Sequence, residues 1–344
     1  MTDLLLNLLL NYGLFLAKTV TILVGIGLLL IVALRARRGG GGSDDGDRLE
    51  ILDLNERYKS LERALKETCL SKKGYRAYLK AERKRHKARD KAQPEERKRL
   101  FVIDFSGDLR ATEVAALRML VTTILLDARA GDAVLVRIEN AGGTVHEHGL
   151  AASQLARLRA KGIHLTVAVD KIAASGGYLM ACVADRIVAA PFAVIGSIGV
   201  LAELPNFHRL LERHGVDFEL HTAGEYKRTL TLFGENTDAA REKLQGQLED
   251  THGLFKAFVH EYRPALDLGR VATGEYWHGS QAVELGLVDA IQTSDDLLLV
   301  ESETRDLLQL KYSAHKKPIE RLLASLQGAL GGALAGRLGA WLAR

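Results

Sequence analysis

The chain has 344 residues, enough for one large domain or two ordinary ones with appendages, and 47% of them are hydrophobic, which suits a substantial core. Its net charge of +4 is small but uneven: basic residues outnumber acidic ones from Arg35 to Arg99, most densely in "KAERKRHKARDKAQPEERKRL". The two cysteines, Cys69 and Cys182, lie far apart without CxxC or Cys/His spacing, which excludes a disulfide framework and a structural zinc site.

From Leu14 to Leu34 only Lys18 is charged, and "TVTILVGIGLLLIVAL" is apolar throughout. A run of about 20 residues crosses the hydrocarbon core if a lysine near its end snorkels. A cleaved signal peptide would carry a basic start and a shorter apolar stretch ending in small residues; here Asp3 comes first and "RARR" follows. Residues 1–38 therefore read as a retained membrane anchor. "GGGGSDDGD" then reads as a flexible linker over 39–48. Residues 49–99 read as a charged helical arm, with Leu54, Tyr58, Leu61 and Leu65 forming one thin apolar stripe. Such an arm suits anionic lipid headgroups or a solvated face packed on the domain edge. Nucleic acid is the weaker partner, because no aromatic platform accompanies the charge.

The texture changes at Leu100. "LFVIDFSG" reads as a buried strand, and "TEVAALRMLVTTILLDAR" as a helix capped by Thr112 with Glu113 in its first turn. "DAVLVRIEN", "IHLTVAV" and "RIVAA" read as further strands, with "VHEHGLAASQLARLRAKG" and "SGGYLMACVA" as helices between them. Strands built from β-branched residues and leucine, alternating with helices, mean an α/β fold with a parallel sheet or spiral covered on both faces.

Two loops at strand C-terminal ends stand where ligands bind in such folds. "ENAGGTV" sets paired glycines after a strand, able to aim amide N–H groups at a ligand, although a plain turn would also use Gly142 and Gly143. "AASGGY" puts Ser175 at the head of a helix, where an ordinary N-cap serine is the bland alternative. It is not the GxSxG elbow, because Ala173 replaces the first glycine.

Taken together, the two loops resemble the Clp protease/crotonase superfamily and, within it, the signal peptide peptidase A family, over Leu100 to Ile291. "NAGG" is similar to that family's oxyanion loop, with Ala141 in place of its usual proline. "AASGGY" matches its nucleophile motif, "IGSIGV" the adjoining strand, "GEYKRTLTLF" its lysine segment and "YWHGSQAVELGLVDAI" its closing motif. The anchor and charged arm resemble the SohB branch. The resemblance implies a repeated β-β-α spiral core over 100–300 and a Ser175 nucleophile with Lys227 as general base, while the spacing of apolar residues reads as an amphipathic tail over 301–344. The resemblance also implies a Gly143 and Gly176 oxyanion hole, and a substrate groove along Gly196, Ser197, Ile198, Gly199 and Val200. No metal or cofactor is required.

A histidine base in the Clp layout would fall near "GSIGV", which has none, and a helix–strand surface accounts for His208, His214 and His221. A free lysine is neutral only about once in a few thousand at pH 7, so the base needs an apolar pocket, for which Leu230, Leu232 and Phe233 are at hand. The implied substrates are apolar peptides, such as signal-peptide remnants or membrane protein fragments. The implied partners are the bilayer and further copies in a homo-oligomer, where the lysine of one copy serves the serine of another. Ile319, Leu322, Leu323, Leu326, Leu330, Leu334, Trp341 and Leu342 give the tail an apolar face for a membrane, an oligomer groove or the peptide site. A second span over Ile187–Ala202 is rejected, since it contains Pro191 and would put Ser175 and Lys227 on opposite sides of the bilayer. The alternatives are an inactive membrane scaffold and crotonase-like acyl-CoA chemistry. The expected location is the bacterial inner membrane. The resemblance implies a periplasmic body, whereas the basic flank after the anchor favours the cytoplasmic side.

Overall fold

The computed structural model describes residues 12–16, 18–23, 25, 48–91, 97–224 and 226–313. Residues 12–16, 18–23 and 25 are helical. Among the described residues no helix is long and apolar enough to cross a membrane, so the anchor expected over 1–38 has no support from them. Most of that segment, the linker over 39–47 and the tail beyond Ser313 lie outside the described residues.

The compact unit Leu49–Tyr312 carries the sheet. In chain order come β1 (Arg48–Asp53), α1 (Leu54–Cys69), α2 (Lys72–Lys91), β2 (Arg99–Gly107), α3 (Val114–Asp127), β3 (Ala133–Asn140) and α4 (Val145–Ala160). There follow β4 (His164–Val169), β5 (Ile172–Ala174), α5 (Gly176–Ala181), β6 (Arg186–Ala189), β7 (Val194–Gly196), α6 (His208–Arg213) and α7 (Asp238–Tyr262). The last elements are α8 (Leu268–Val271), β8 (Tyr276–His278), α9 (Gly279–Glu284), β9 (Ala290–Ile291), α10 (Ser294–Glu301) and β10 (Asp306–Ser313).

The sheet runs β1-β10-β2-β3-β4-β6-β9, with β5, β7 and β8 as a short side ladder. The ladders linking β10, β2, β3, β4, β6 and β9 are parallel, and β7–β8 is antiparallel. The side ladder joins the main path where Asn140 of β3 pairs with Ala173 of β5. Twice the chain lays a strand in the main path and then a short one in the side ladder: β4 then β5, β6 then β7. This is a mixed α/β architecture. The long strands read from the sequence are all present, because side chains such as Val134, Leu135, Val136 and Val167 are buried whichever face they point to.

One core lies between the sheet and α3, α4, α5 and α7, with Leu117, Ile124, Leu155, Tyr178 and Val259 inside it. The other face carries a smaller core, where Leu54 and Tyr58 of α1 meet Leu297 and Leu298 of α10. The charged arm is therefore half docked: Leu54 is buried, while Leu61 and Leu65 are exposed. It begins as a strand rather than a helix, and it breaks at Leu70 into a hairpin closed by Arg63 and Glu82. Asn55 is buried, donating to Ser302 O at 3.0 Å and Arg305 O at 3.1 Å and accepting from Leu307 N at 2.7 Å.

Two local expectations change. Thr112 does not cap α3: its N–H and hydroxyl both turn to Asp108, and the helix opens at Val114 behind Glu113, whose carboxylate takes the Ser106 N–H at 3.1 Å. The tail does not start at 301, because β10 inserts into the sheet between β1 and β2.

Candidate active site

Ser175 sits between β5 and α5, held by its own N–H to Gly196 O at 2.8 Å and by Leu179 N–H to Ser175 O at 2.9 Å. Its backbone lies at φ 51°, ψ −117°, and its side chain makes no capping bond. The ordinary N-cap serine is thereby excluded. A non-glycine residue at positive φ stores about 1–3 kcal/mol of strain. Here the strain leaves the hydroxyl unspent on the helix. Behind it, Tyr178 is fully buried and donates to Leu287 O at 3.0 Å, pinning α5 to the closing segment.

The glycine loop lies directly against this serine. Gly142 has φ +95°, and a Cβ there would stand 2.6 Å from Ser175 Cβ and 3.0 Å from Ser175 Oγ. Asn140, at the end of β3, takes the Gly142 N–H at 2.7 Å. Thr144 N–H reaches Leu109 O at 2.9 Å. The Gly142 amide is thus engaged, whereas the Gly143 and Gly176 amides have no acceptor among the described residues. Gly176 opens α5, where the first N–H groups have no intrahelical partner.

A cavity of about 300 Å³ opens at Ser175, walled by Gly143, Val145, His148, Leu179, Gly199 and Val200 and, from α7, by Leu254, Phe255 and Phe258. No charged side chain is in the wall. The structure therefore brings Ser175, Gly143, Gly176, Gly199 and Val200 to one place. Gly196 and Ile198 are buried beside it, and Ser197 (φ 50°) turns its hydroxyl to Gly274 O at 3.3 Å.

Lys227 is exposed, donates its backbone N–H to Gly224 O at 3.2 Å, and is not in that wall. The apolar pocket expected around it does not form within the described chain. Phe233 packs on Phe207 and Phe218 instead, with ring centroids 6.0 and 5.7 Å apart. His208, His214 and His221 also lie outside the cavity wall. Burial pushes the Cys182 thiol and the Tyr178 phenol well above their ordinary ranges, so neither supplies an anion to the site.

Sequence reasoning missed His148, Asn140 and the α7 wall. His148 is fully buried, its Nδ1 2.9 Å from Thr144 O and its Nε2 3.1 Å from Asn140 Oδ1. Its signal was the helical spacing His148, Ala152, Leu155, all fully buried. The α7 signal was the same kind of stripe, with Thr251, Leu254, Phe255 and Phe258 in "THGLFKAFVHEY".

Comparison with known proteins places this chain in a family. Residues 7–155 match Peptidase family S49 N-terminal and residues 157–308 match Peptidase family S49. The probable protease SohB of Haemophilus influenzae is 48% identical over 326 residues, covering 92% of both chains. The probable protease SohB of Buchnera aphidicola subsp. Acyrthosiphon pisum is 47% identical, covering 93% of this chain and 94% of its own. Among solved structures, a membrane-bound stomatin-specific protease in complex with a substrate peptide aligns with a TM-score of 0.40 and 11% identity, over 68% of this chain and 99% of that one. With both halves of the chain matched and near-half identity over nearly its full length, this chain belongs to peptidase family S49, as a SohB-type member.

Proposed function

We propose that this chain is a serine endopeptidase in which Ser175 attacks the peptide carbonyl and Lys227 takes its proton. The carrying observation is Ser175 itself: a strained, uncapped serine at the head of α5 that lines one apolar cavity together with Gly143 and Gly176. The Ser175 Oγ–carbonyl bond forms as the C=O π pair moves onto oxygen, and those two amides stabilise the resulting oxyanion. Each such donor contributes about 3 kcal/mol of barrier lowering. The protonated lysine then gives its proton to the leaving amine, and water cleaves the acyl-enzyme by the reverse path.

Lys227 has to reach Ser175 from the exposed segment that follows β7, in its own chain or from a second copy in a homo-oligomer. Docking of that segment would also bury Leu201, Leu204, Leu210 and Phe218, all exposed in the single chain. The wall of Leu179, Leu254, Phe255 and Phe258 suits an apolar side chain of the substrate, so apolar peptides and membrane protein fragments are the substrate class. Gly199 and Val200, in the cavity wall, are the backbone along which such a peptide would lie. Attachment to the inner membrane through 1–38, with the arm over anionic headgroups, would set the enzyme beside such fragments.

The test is labelling by a fluorophosphonate together with cleavage of an apolar reporter peptide. Wild type is expected to form the adduct and cleave; Ser175→Ala abolishes both, and Lys227→Ala slows both by more than about 100-fold. An adduct that persists in Ser175→Ala would overturn the assignment.

A further inference from the structure

Two helices, α4 and α7, wall the cavity at Ser175. Val145, Gly149 and Ser153 stand at i, i+4 and i+8 on α4, which sets them one above another on a single helix face, and all three line the cavity. That face runs about 12 Å along the helix, at about 1.5 Å per residue. From α7 come Leu254, Phe255 and Phe258. The polar side-chain atoms of this wall are already engaged within the protein. Ser153 Oγ donates to Gly149 O at 2.8 Å, Thr251 Oγ1 donates to Gln247 O at 2.8 Å, and both ring nitrogens of His148 lie against oxygen atoms of Thr144 and Asn140. What the cavity offers a peptide side chain is therefore carbon surface.

Gly149 sits in the middle of the α4 face. Its backbone is helical, and a Cβ built on it would find no atom within 4 Å. Neither a left-handed backbone nor a close neighbour calls for glycine there, and glycine is a poor residue for a helix interior. What its missing side chain does is leave the cavity open. Gly253 on α7 is equally open, but it lies outside the wall.

We propose that Gly149 is a specificity-determining residue: the space it leaves selects peptides with a large apolar residue, aromatic or leucine-sized, at the carbonyl that Ser175 attacks. The proposal rests on the reading of Ser175 as nucleophile. The cavity begins at Ser175, so the residue that supplies the attacked carbonyl is the one whose side chain enters it. A phenylalanine there would share the space with the rings of Phe255 and Phe258, and aromatic pairs about 4.5–7 Å apart attract beyond their burial. A side chain added at position 149 projects into the same volume of about 300 Å³ and displaces that of the peptide.

The experiment compares kcat/KM for two reporter peptides that differ only at that residue, Phe or Ala. The proteins are full-length wild type, Gly149→Ala, Gly149→Leu and Gly253→Leu, with fluorophosphonate counting the active serines and a thermal melt reporting the fold. Wild type is expected to favour the Phe peptide by at least about tenfold. Gly149→Ala should reduce that ratio severalfold and Gly149→Leu should bring it to about one, while Gly253→Leu keeps it. The ratio does not depend on how much chain is folded, and both Gly149 substitutions put a better helix former into α4, so Tm should hold. A Gly149→Leu ratio within about twofold of wild type would overturn the proposal, as would a wild type that prefers Ala. A Gly149→Ala chain that melts below wild type would overturn it too, because the space would then be filled. If wild type is neither labelled nor active, the Ser175 reading fails. Calorimetric binding of the two peptides to Ser175→Ala, with and without Gly149→Leu, still decides the pocket: a Phe preference lost in the double variant upholds it, and equal affinities reject it.

Discussion

Replacing Gly142 with alanine tests how closely the loop and the nucleophile fit. At φ +95° an L-residue costs about 1–2 kcal/mol of backbone strain. The added methyl would stand 2.6 Å from Ser175 Cβ and 3.0 Å from the Gly176 N, against ordinary contacts of about 3.5–4.0 Å. The overlap is therefore about 1 Å, and both neighbours are backbone or Cβ atoms that cannot swing aside. The loop has to retreat by that amount. An oxyanion donor works within about 2.7–3.1 Å, so a 1 Å retreat removes the Gly143 amide and slows acylation by about 10²–10³-fold. The backbone term alone lowers Tm by roughly 2–8 °C, at about 2–4 °C per kcal/mol for a domain of this size. The assay is the second-order rate of fluorophosphonate labelling, read beside a thermal melt. A Gly142→Ala chain that labels within about threefold of wild type would refute the reasoning. Gly253→Ala is the control: nothing lies within 4 Å of its Cβ position on α7, so it should leave labelling unchanged and gain about 0.5–1 kcal/mol of stability.

Tyr178→Phe leaves the Leu287 carbonyl without its donor in a buried site and should destabilise the fold by about 1–2 kcal/mol, read by urea melts. Phe258→Ala takes an aromatic face out of the cavity wall and should move the preferred substrate side chain toward larger apolar groups, measured as kcat/KM ratios over a peptide set. Burial raises the Asp132 carboxyl, but the Arg99 guanidinium and the Arg129 and Arg99 N–H groups outweigh it and hold the group below the usual carboxylate range. A carboxyl depressed in the folded state stabilises above its unfolded value, about 3.9, and that stability is lost as pH falls through the folded value. Asp132→Asn should therefore lower Tm at pH 7, by an amount equivalent to up to about 3 kcal/mol, and flatten the fall in Tm from pH 6 to pH 3. An unchanged acid limb would reject that assignment.

Much of the sheet was legible because burial on both faces writes a continuous apolar run, as in "AVLVRI" and "HLTVAV". The side ladder was not, because strands such as Ile172–Ala174 and Tyr276–His278 are too short to show a period. Its pairing is made by β3, β7 and the turn at Gly196, and no local pattern reports that. Ser175 was legible as a candidate, while its departure from a capping role was not: the conformation at φ 51° is imposed by Gly196 O and by the packing of α5. His148 was hidden inside a helix that reads well without it. Lys227 could be named from its motif, but the surroundings of an exposed loop lysine depend on what docks there, which local sequence does not encode.

Asn55 ties the start of the sheet-bearing unit to its end through partners 247, 250 and 252 residues further on. A ribosome adding about 5–20 residues per second needs roughly 10–50 s to make the intervening chain. During that interval β3, β4, β5 and α5, which frame Ser175, are already synthesised, while β1 still lacks its neighbour β10. The serine's surroundings are thus available to assemble before the charged arm has anywhere to dock, and the seal at Asn55 is among the last contacts the nascent chain can close.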